Sequence, residues 1–150
     1  MRQNMNSNNG VSILLSKRNA IDLEALNLLA GKSERILCSC SYCEKMGKHR
    51  LDYESQLSNS LYLQKEGFLL EEFIYECIEL LQMSEKYKLN LENFKIDLKS
   101  IFNGDDGYQF LYIPVVNKKT MGNKKFIVKL LAAVKNKDKR ITELLKQIKR

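Results

Sequence analysis

Apolar residues recur along the chain at two spacings, one typical of strands and the other typical of helices. Residues 11–15 (VSILL) are a short apolar run with β-branched members, which predicts a strand. Residues 34–43 and 48–53 alternate on either side of an EKMG turn and predict a hairpin. Residues 94–102 and 108–116 alternate on either side of an NGDDG turn, which predicts a second hairpin.

A spacing of three to four residues marks the remaining apolar segments as helices. Residues 20–30 predict one helix that ends at Gly31, and residues 57–65 predict a short one that stops before Gly67. Residues 68–87 carry the clearest pattern, with acidic residues opposite the apolar face. The residues predicted to face inward on this helix are Leu70, Phe73, Ile74, Cys77, Ile78, Leu81 and Ser84. Two more amphipathic helices are predicted near the C-terminal end, with inward residues Phe126, Ile127, Leu130, Leu131 and Val134, then Ile141, Leu144, Leu145 and Ile148.

The order is strand, helix, hairpin, two helices, hairpin, two helices, which is an α+β pattern with locally paired strands. The chain has 150 residues, of which 44% are hydrophobic, enough for one domain with its own core. We expect the polar residues 1–10 to be a disordered arm. We expect residues 11–150 to form a single domain whose basic helical end spans residues 117–150.

Two absences in the sequence bear on the compartment. No apolar run approaches the ~20 residues that a membrane-spanning helix needs. The first residues, MRQNMNSNNG, lack the apolar stretch of a signal peptide. We therefore expect a cytoplasmic protein whose 4 cysteines are reduced, and which reaches a membrane only through a partner.

Positive charge is concentrated at the C-terminal end. Residues 117–150 contain 12 Lys and Arg against 2 Asp and Glu, whereas residues 1–116 contain 13 against 16. This asymmetry is typical of a surface that meets an anionic partner, and a solvated Lys-rich helix face gives the same pattern. The candidate residues for such a surface are Lys118, Lys119, Lys124, Lys125, Lys129, Lys135, Lys137, Lys139 and Arg140.

Three cysteines and the single histidine lie close together in the first predicted hairpin. Cys38, Cys40, Cys43 and His49 have the spacing C-x-C-x2-C-x5-H, and zinc accepts four ligands of these types. In a strand, however, Cys38 and Cys40 point to one face and Cys43 to the other, so we expect no metal site. A reactive pair of Cys43 and His49 across the hairpin is a further alternative, and it would make the protein an enzyme.

Two other patterns have structural explanations. Asp105 and Asp106 suggest a calcium loop, but the ligand spacing and the closing Glu are missing, so we interpret them as a hairpin turn. Tyr108, Phe110 and Tyr112 alternate as in sheets that stack RNA bases, although strand aromatics more often pack against a helix. No Gly-rich phosphate loop is present, and we expect no cofactor.

The central segment carries a family resemblance. Its shared features are a helix pair, a strand that begins L-x-x-E-N-F-x-I, a hairpin, and a strand F-L-Y-I-P-V. On these features residues 57–116 resemble a Firmicute domain-of-unknown-function family found N-terminal to forkhead-associated (FHA) domains. They are also similar to the cytoplasmic pseudokinase domain of the type VII secretion protein EssB/YukC. The resemblance implies a reduced protein-kinase fold, in which residues 11–17 are a small-lobe strand, residues 20–30 the αC helix, residues 34–53 the following hairpin, and residues 126–134 a later helix.

The residues that match kinase catalytic positions imply that phosphotransfer is lost. A kinase needs an Asp beside the substrate hydroxyl, an Asp and an Asn on Mg²⁺, and a Lys on the phosphates. On the resemblance, Asn93 matches the catalytic-loop Asn, but Lys88 stands where the catalytic Asp belongs. Residues 113–115 (IPV) replace the metal-binding D-F-G. Lys17, with Glu24 as its partner, would be the phosphate lysine, although no Gly-rich loop precedes it.

The resemblance thus implies a non-catalytic, pseudokinase-like protein-interaction domain, a scaffold in signalling or in a membrane assembly. The charge pattern offers an alternative, a small basic protein that binds nucleic acid or an anionic surface, for example a phage factor. We favour a protein or membrane-surface partner over nucleic acid, because base-stacking aromatics are absent from the basic end of the sequence.

Overall fold

A four-stranded antiparallel sheet begins the fold, with its strands in the order β1-β2-β4-β3. The computed structural model describes residues 2–5 and 10–149, with side chains from residue 10 onward. The strands are β1 Arg2–Met5, β2 Val11–Ser16, β3 Cys40–Lys45 and β4 Lys48–Tyr53. We expect a disordered arm over residues 1–10, but residues 2–5 form strand β1. They are ordered because their backbone pairs with the edge of β2. The rest of that arm, apart from residue 10, lies outside the described residues.

One apolar face sets the register of β2 against β4. Val11 lies opposite Tyr53 and Ile13 opposite Leu51, and all four side chains are buried. A shift of one residue would turn this face toward solvent, so the alternating pattern fixes the pairing. The turn between β3 and β4 has positive φ at both central residues, the geometry of a tight two-residue hairpin. Strand β4 of this hairpin has the bounds that the sequence predicts.

Helix α1 (Leu23–Ala30) follows β2 and contacts β3. Asp22 accepts a hydrogen bond from a first-turn amide and begins the helix, which therefore starts later than residue 20. Leu29 is buried, and Gly31 ends the helix in a right-handed conformation with φ −74°. It is Lys32, not the glycine, that takes the left-handed conformation, with φ 56°.

Helix α2 (Leu70–Lys86) is the central helix and confirms the strongest helix prediction from the sequence. Its inner face is fully buried, as at Cys77 and Leu80. Ile78 was predicted to face inward, but its side chain is 49% exposed. A helix turns by about 100° per residue, so position 78 rotates away from the stripe that Cys77 and Leu80 share.

A second hairpin lies against α2. Its strands are β5 (Ile101–Gly104) and β6 (Gly107–Phe110), joined by the turn at residues 105–106 that the sequence predicts. The Tyr108 and Phe110 rings lie 5.4 and 6.5 Å from the Phe73 ring of α2, measured between centroids. These strand aromatics are buried, so they pack against a helix and are not presented to RNA.

Two helices end the described chain, α3 (Asn123–Ala133) and α4 (Arg140–Lys149). Four of the five inward residues predicted on the first are buried: Phe126, Leu130, Leu131 and Val134. On α4 only Ile141 is buried, while Leu144, Leu145 and Ile148 are half-buried against the core. The periodicity therefore places both helices correctly, but it does not predict how deeply their apolar side chains are buried.

The helix predicted over residues 57–65 is reduced to a single 3₁₀ turn, Leu57–Asn59. The amide of Leu61 donates to the carbonyl of Ile101, and the amide of Tyr62 donates to that of Leu98. These tertiary hydrogen bonds take the backbone groups that a longer helix would use.

Three predicted strands are shortened, and the one predicted over residues 108–116 ends as β6 at Phe110. The strand predicted from residue 34 begins only at Cys40, because the amide of Cys38 donates to the carbonyl of Phe110 outside its own sheet. The strand predicted over residues 94–102 is interrupted by a 3₁₀ turn, Leu98–Ser100. Across residues 2–5 and 10–149 the fold is α+β, with two antiparallel sheets and four α-helices. None of those helices is both long enough and apolar enough to cross a membrane.

Candidate functional site

Eight of the nine basic residues predicted as an anionic-partner surface lie at the two ends of α3. An eleven-residue helix is about 16 Å long, so the two groups do not form one patch. We call the first group, which surrounds the start of α3, the clamp end, with Lys118, Lys119, Lys124 and Lys125. We call the second group, which joins α3 to α4, the turn end, with Lys135, Lys137, Lys139 and Arg140. Lys129 is exposed between them.

Two of the four cations at the turn end already have partners within the chain. The Lys137 ammonium donates to the Gln64 carbonyl at 2.5 Å, and burial together with the nearby Lys65 lowers the pKa of Lys137. Arg140 donates to Asp138 at 2.8 Å and also to Glu71. The other seven candidate residues are exposed.

At the clamp end, a buried asparagine side chain forms hydrogen bonds within the fold. Asn93 is 5% exposed, and its Nδ2 donates to the carbonyl of Val115 at 2.7 Å. Its Oδ1 accepts a hydrogen bond from Asn117 at 3.0 Å. Nearby, Asn90 donates through its side chain to the carbonyl of Lys119 at 2.7 Å. These bonds fix the chain between β6 and α3, and we refer to them as the asparagine clamp.

The other positions matched to kinase catalysis do not converge on a metal site. Lys88 is exposed and has a left-handed backbone with φ 55°. Lys17 pairs with Glu44 at 2.5 Å, so the expected partner, Glu24, does not hold it. Among residues 2–5 and 10–149, no group of three His, Cys, Asp or Glu side chains is placed to hold a metal ion.

A groove of about 580 Å³ lies beside the clamp, between the end of α2 and the start of α3. Leu81, Leu89 and Met121 give it an apolar lining, and Lys88 and Glu85 add one charge of each sign. The remaining lining residues are Ser84, Asn90, Leu91, Thr120 and Asn123. An open groove with apolar and polar groups along it is suited to contact with an extended peptide, and its lining residues Thr120 and Asn123 are next to clamp-end lysines in the sequence.

Cys43 and His49 lie on opposite faces of the hairpin. His49 lies between Tyr42, whose hydroxyl is 2.7 Å from Nδ1, and the carbonyl of Asn19, 2.9 Å from Nε2. A carbonyl only accepts, so Nε2 donates to Asn19, and in the neutral ring Nδ1 accepts from Tyr42. Cys43 lies opposite Arg50, on the other face of the hairpin from His49, so no Cys–His pair forms.

Burial raises the pKa of Cys38 and of Cys40 to about 12, so both thiols keep their protons in the metal-free protein.

The fold brings to the turn end residues that the sequence analysis did not connect with it. The exposed Tyr62 ring has the ammonium of Lys99 at 4.9 Å and that of Lys65 at 5.5 Å from its centroid. Lys65 and Lys137 line the same small groove. No local pattern links positions so far apart in the chain, so only the tertiary structure reveals this cluster.

Comparison of the chain with protein-family models, with curated proteins and with solved structures finds no match in any of the three. The assignment of function therefore depends on the geometry of the chain itself.

Proposed function

We propose that this protein is a non-catalytic, pseudokinase-like interaction domain that docks an acidic segment of a partner protein. One observation carries the proposal. Asn93, which matches the metal-binding Asn of a kinase, has both ends of its side-chain amide occupied by Val115 and Asn117. An amide used in this way stabilises the fold, because its nitrogen and its oxygen both have partners within the chain.

The order of elements around the first sheet supports the same proposal. The resemblance implies a small-lobe strand, then the αC helix, then a hairpin. The chain runs from β2 through α1 to the β3–β4 hairpin, and β4 pairs with β2 in one sheet. Helix α2 then leads into residues 88–93, the segment matched to the catalytic loop.

The charge around the groove supports an acidic peptide as the docked segment. Lys88 lines the groove, and Lys124 and Lys125 follow directly after its lining residue Asn123. Asn90 lines the groove and holds the backbone of Lys119, so the clamp fixes one wall. Glu85 balances Lys88 within the lining, so the excess of positive charge comes from the clamp-end lysines that follow the lining residues in sequence. Apolar side chains of a bound peptide would cover the leucines while its carboxylates meet the ammonium groups.

The loss of phosphotransfer is tested by ATP turnover. With Mg²⁺ and ATP we expect no phosphate release above a blank, and no rise in melting temperature. Lys17→Gln is the control, since this exposed residue matches the phosphate lysine and its replacement leaves the core intact. Turnover in the parent protein that disappears in Lys17→Gln would contradict the proposal.

The docking site is tested by selecting peptides from a random displayed library on the parent protein. The selected peptides should be acidic, and they should bind Lys88→Gln/Lys124→Gln more weakly by roughly tenfold, equivalent to ~1.4 kcal/mol. Lys135→Gln/Lys139→Gln removes the same charge at the turn end and should bind like the parent. Peptides without acidic residues, or equal binding to both variants, would reject the groove as the site and leave the turnover result unaffected.

The turn end supports a second candidate function, binding of an anionic ligand. The observation that favours it is the Tyr62 ring with two ammonium groups close to it. It is independent of the groove, because the length of α3 separates the two sites.

A further inference from the structure

Tyr62 is a large aromatic side chain that the fold leaves partly exposed. Its side chain is 46% exposed, although it follows directly after Leu61, which is 1% exposed. The ammonium groups of Lys99 and Lys65 lie 4.9 and 5.5 Å from the ring centroid, which is within the range of a cation–π interaction. Both lysines belong to the part of the chain that precedes the basic C-terminal end.

Two shallow grooves meet at this ring. One, of about 420 Å³, is lined by Tyr62, Leu98, Lys95 and Lys99 among others. The other, of about 380 Å³, is lined by Tyr62, Leu98 and Lys65, and reaches the α3–α4 turn at Asn136 and Lys137. Because Tyr62 and Leu98 belong to both, the grooves form one track that passes across the aromatic ring.

The charge along this track is positive. Lysines outnumber acids in its lining, and the two acids are Asp97 and Glu66. Lys95 holds Asp97 at 3.0 Å, which neutralises that carboxylate locally. Lys135 and Lys139 flank Lys137 in sequence and are exposed.

We propose that this track binds single-stranded nucleic acid, with a base stacked on Tyr62 and the neighbouring phosphates on Lys65, Lys99 and Lys137. A base needs an exposed aromatic face, and the phosphates on either side of it need cations a few ångströms away. The track supplies both along a concave path. A flat bilayer surface cannot follow such a path, so the shape favours a strand over a membrane. The inference gives the second candidate function a ligand class and a location, and it does not depend on the docking groove.

The test is binding of a fluorescein-labelled oligouridylate or oligothymidylate of about 12 nucleotides, followed by fluorescence anisotropy at several salt concentrations. The parent should bind, and its affinity should fall steeply as salt rises. Tyr62→Ala should weaken binding roughly 5- to 150-fold, the range measured for loss of a stacked base. Tyr62→Phe keeps the ring and should bind like the parent. Lys65→Gln/Lys99→Gln/Lys137→Gln should reduce the slope of log affinity against log salt by about 2.

The matched control is Lys118→Gln/Lys124→Gln/Lys125→Gln, which removes the same charge at the clamp end. It should retain the Tyr62 effect and most of the affinity, and circular dichroism should show all variants folded. Equal loss in the control and in the turn-end variant would mean that net charge alone drives binding, which overturns the proposal. It is also overturned if the parent binds no oligonucleotide, if Tyr62→Ala binds as the parent does, or if only vesicles containing phosphatidylglycerol are bound.

Discussion

The two ends of α3 carry similar positive charge in very different surroundings. At the clamp end, Phe126 is fully buried with its ring 5.5 Å from that of Phe94, and the preceding backbone is held by Asn93. At the turn end, Lys137 reaches the carbonyl of Gln64, and the exposed ring of Tyr62 lies along the adjoining groove. The two ends carry similar charge, but the residues around the lysines differ between them.

This difference separates two kinds of binding surface. The clamp end presents lysines on a backbone fixed by the hydrogen bonds of Asn90 and Asn93, beside a groove suited to a peptide. The turn end presents lysines around an aromatic face, beside a track suited to a flexible polyanion. Substitutions at the clamp end should therefore cost more stability than substitutions at the turn end.

Phe126→Ala should be the most damaging change at the clamp end. It should reduce the free energy of unfolding by about 3–5 kcal/mol, because it leaves a cavity against Phe94 in the core. Ile127→Ala, one residue further and only half-buried, should cost clearly less. Urea unfolding of both variants measures the difference. Equal losses would mean that the clamp end of α3 is not anchored by Phe126.

Asn93→Ala should cost about 1–3 kcal/mol of unfolding free energy, because it leaves the Val115 carbonyl without its buried donor. Asn136→Ala, at the exposed turn end, should stay within about ±0.5 kcal/mol. Thermal melts of the two variants report the contrast between the ends. A neutral Asn93→Ala would show that the clamp is not needed for the fold, and would weaken its use as the sign of a lost metal site.

Arg140→Gln should change how stability depends on pH. Arg140 lowers the pKa of Glu71 and of Asp138 below their ordinary values of 4.5 and 3.8. A carboxyl with a lowered folded pKa stabilises the fold above its unfolded pKa and loses that contribution as the pH falls through the folded value. The parent's advantage over Arg140→Gln should therefore be present at pH 7 and fade below about pH 4. Arg140 and Glu71 are exposed and Asp138 is half-buried, so the effect is small. Urea midpoints at pH 7 and pH 3 measure it, with the exposed Arg18→Gln as control. An advantage that grows toward pH 3 would contradict this assignment.

Neutralising the exposed lysines Lys118, Lys124 and Lys125 together should leave stability within about ±0.5 kcal/mol. These side chains are exposed, so the fold should tolerate their replacement by Gln. Differential scanning calorimetry measures the effect. A large stabilisation would mean that mutual repulsion strains the clamp end, and a large loss would mean that the lysines make contacts needed by the fold.

The pattern of apolar residues predicts those elements whose type and position depend on burying one apolar face. Helix α2 and strand β4 have the predicted type and almost the predicted bounds, because one apolar face determines each. The segment over residues 57–65 has helical spacing too, but its amides bond to residues far along the chain. Local periodicity cannot represent such bonds.

The candidate sites follow the same rule. The lysines at each end of α3 could be identified from composition, since charge is a property of single residues. Tyr62 and Lys99 join the turn end only because residues 61 and 62 bond to the segment around β5. The clamp likewise depends on an amide whose two ends meet Val115 and Asn117 in space, which no spacing rule anticipates.

The strand order β1-β2-β4-β3 has a consequence for the time course of folding. Strand β4 can pair with β3 at once through a two-residue turn, whereas its pairing with β2 must first close the loop formed by residues 17–47. Closing that loop costs entropy before any contact repays it, so the long-range pairing should form later. Successive amides of β4 point alternately to the two neighbours. Pulsed hydrogen exchange during refolding should therefore protect the amides facing β3 before those facing β2, and simultaneous protection would mean that the sheet assembles in one step.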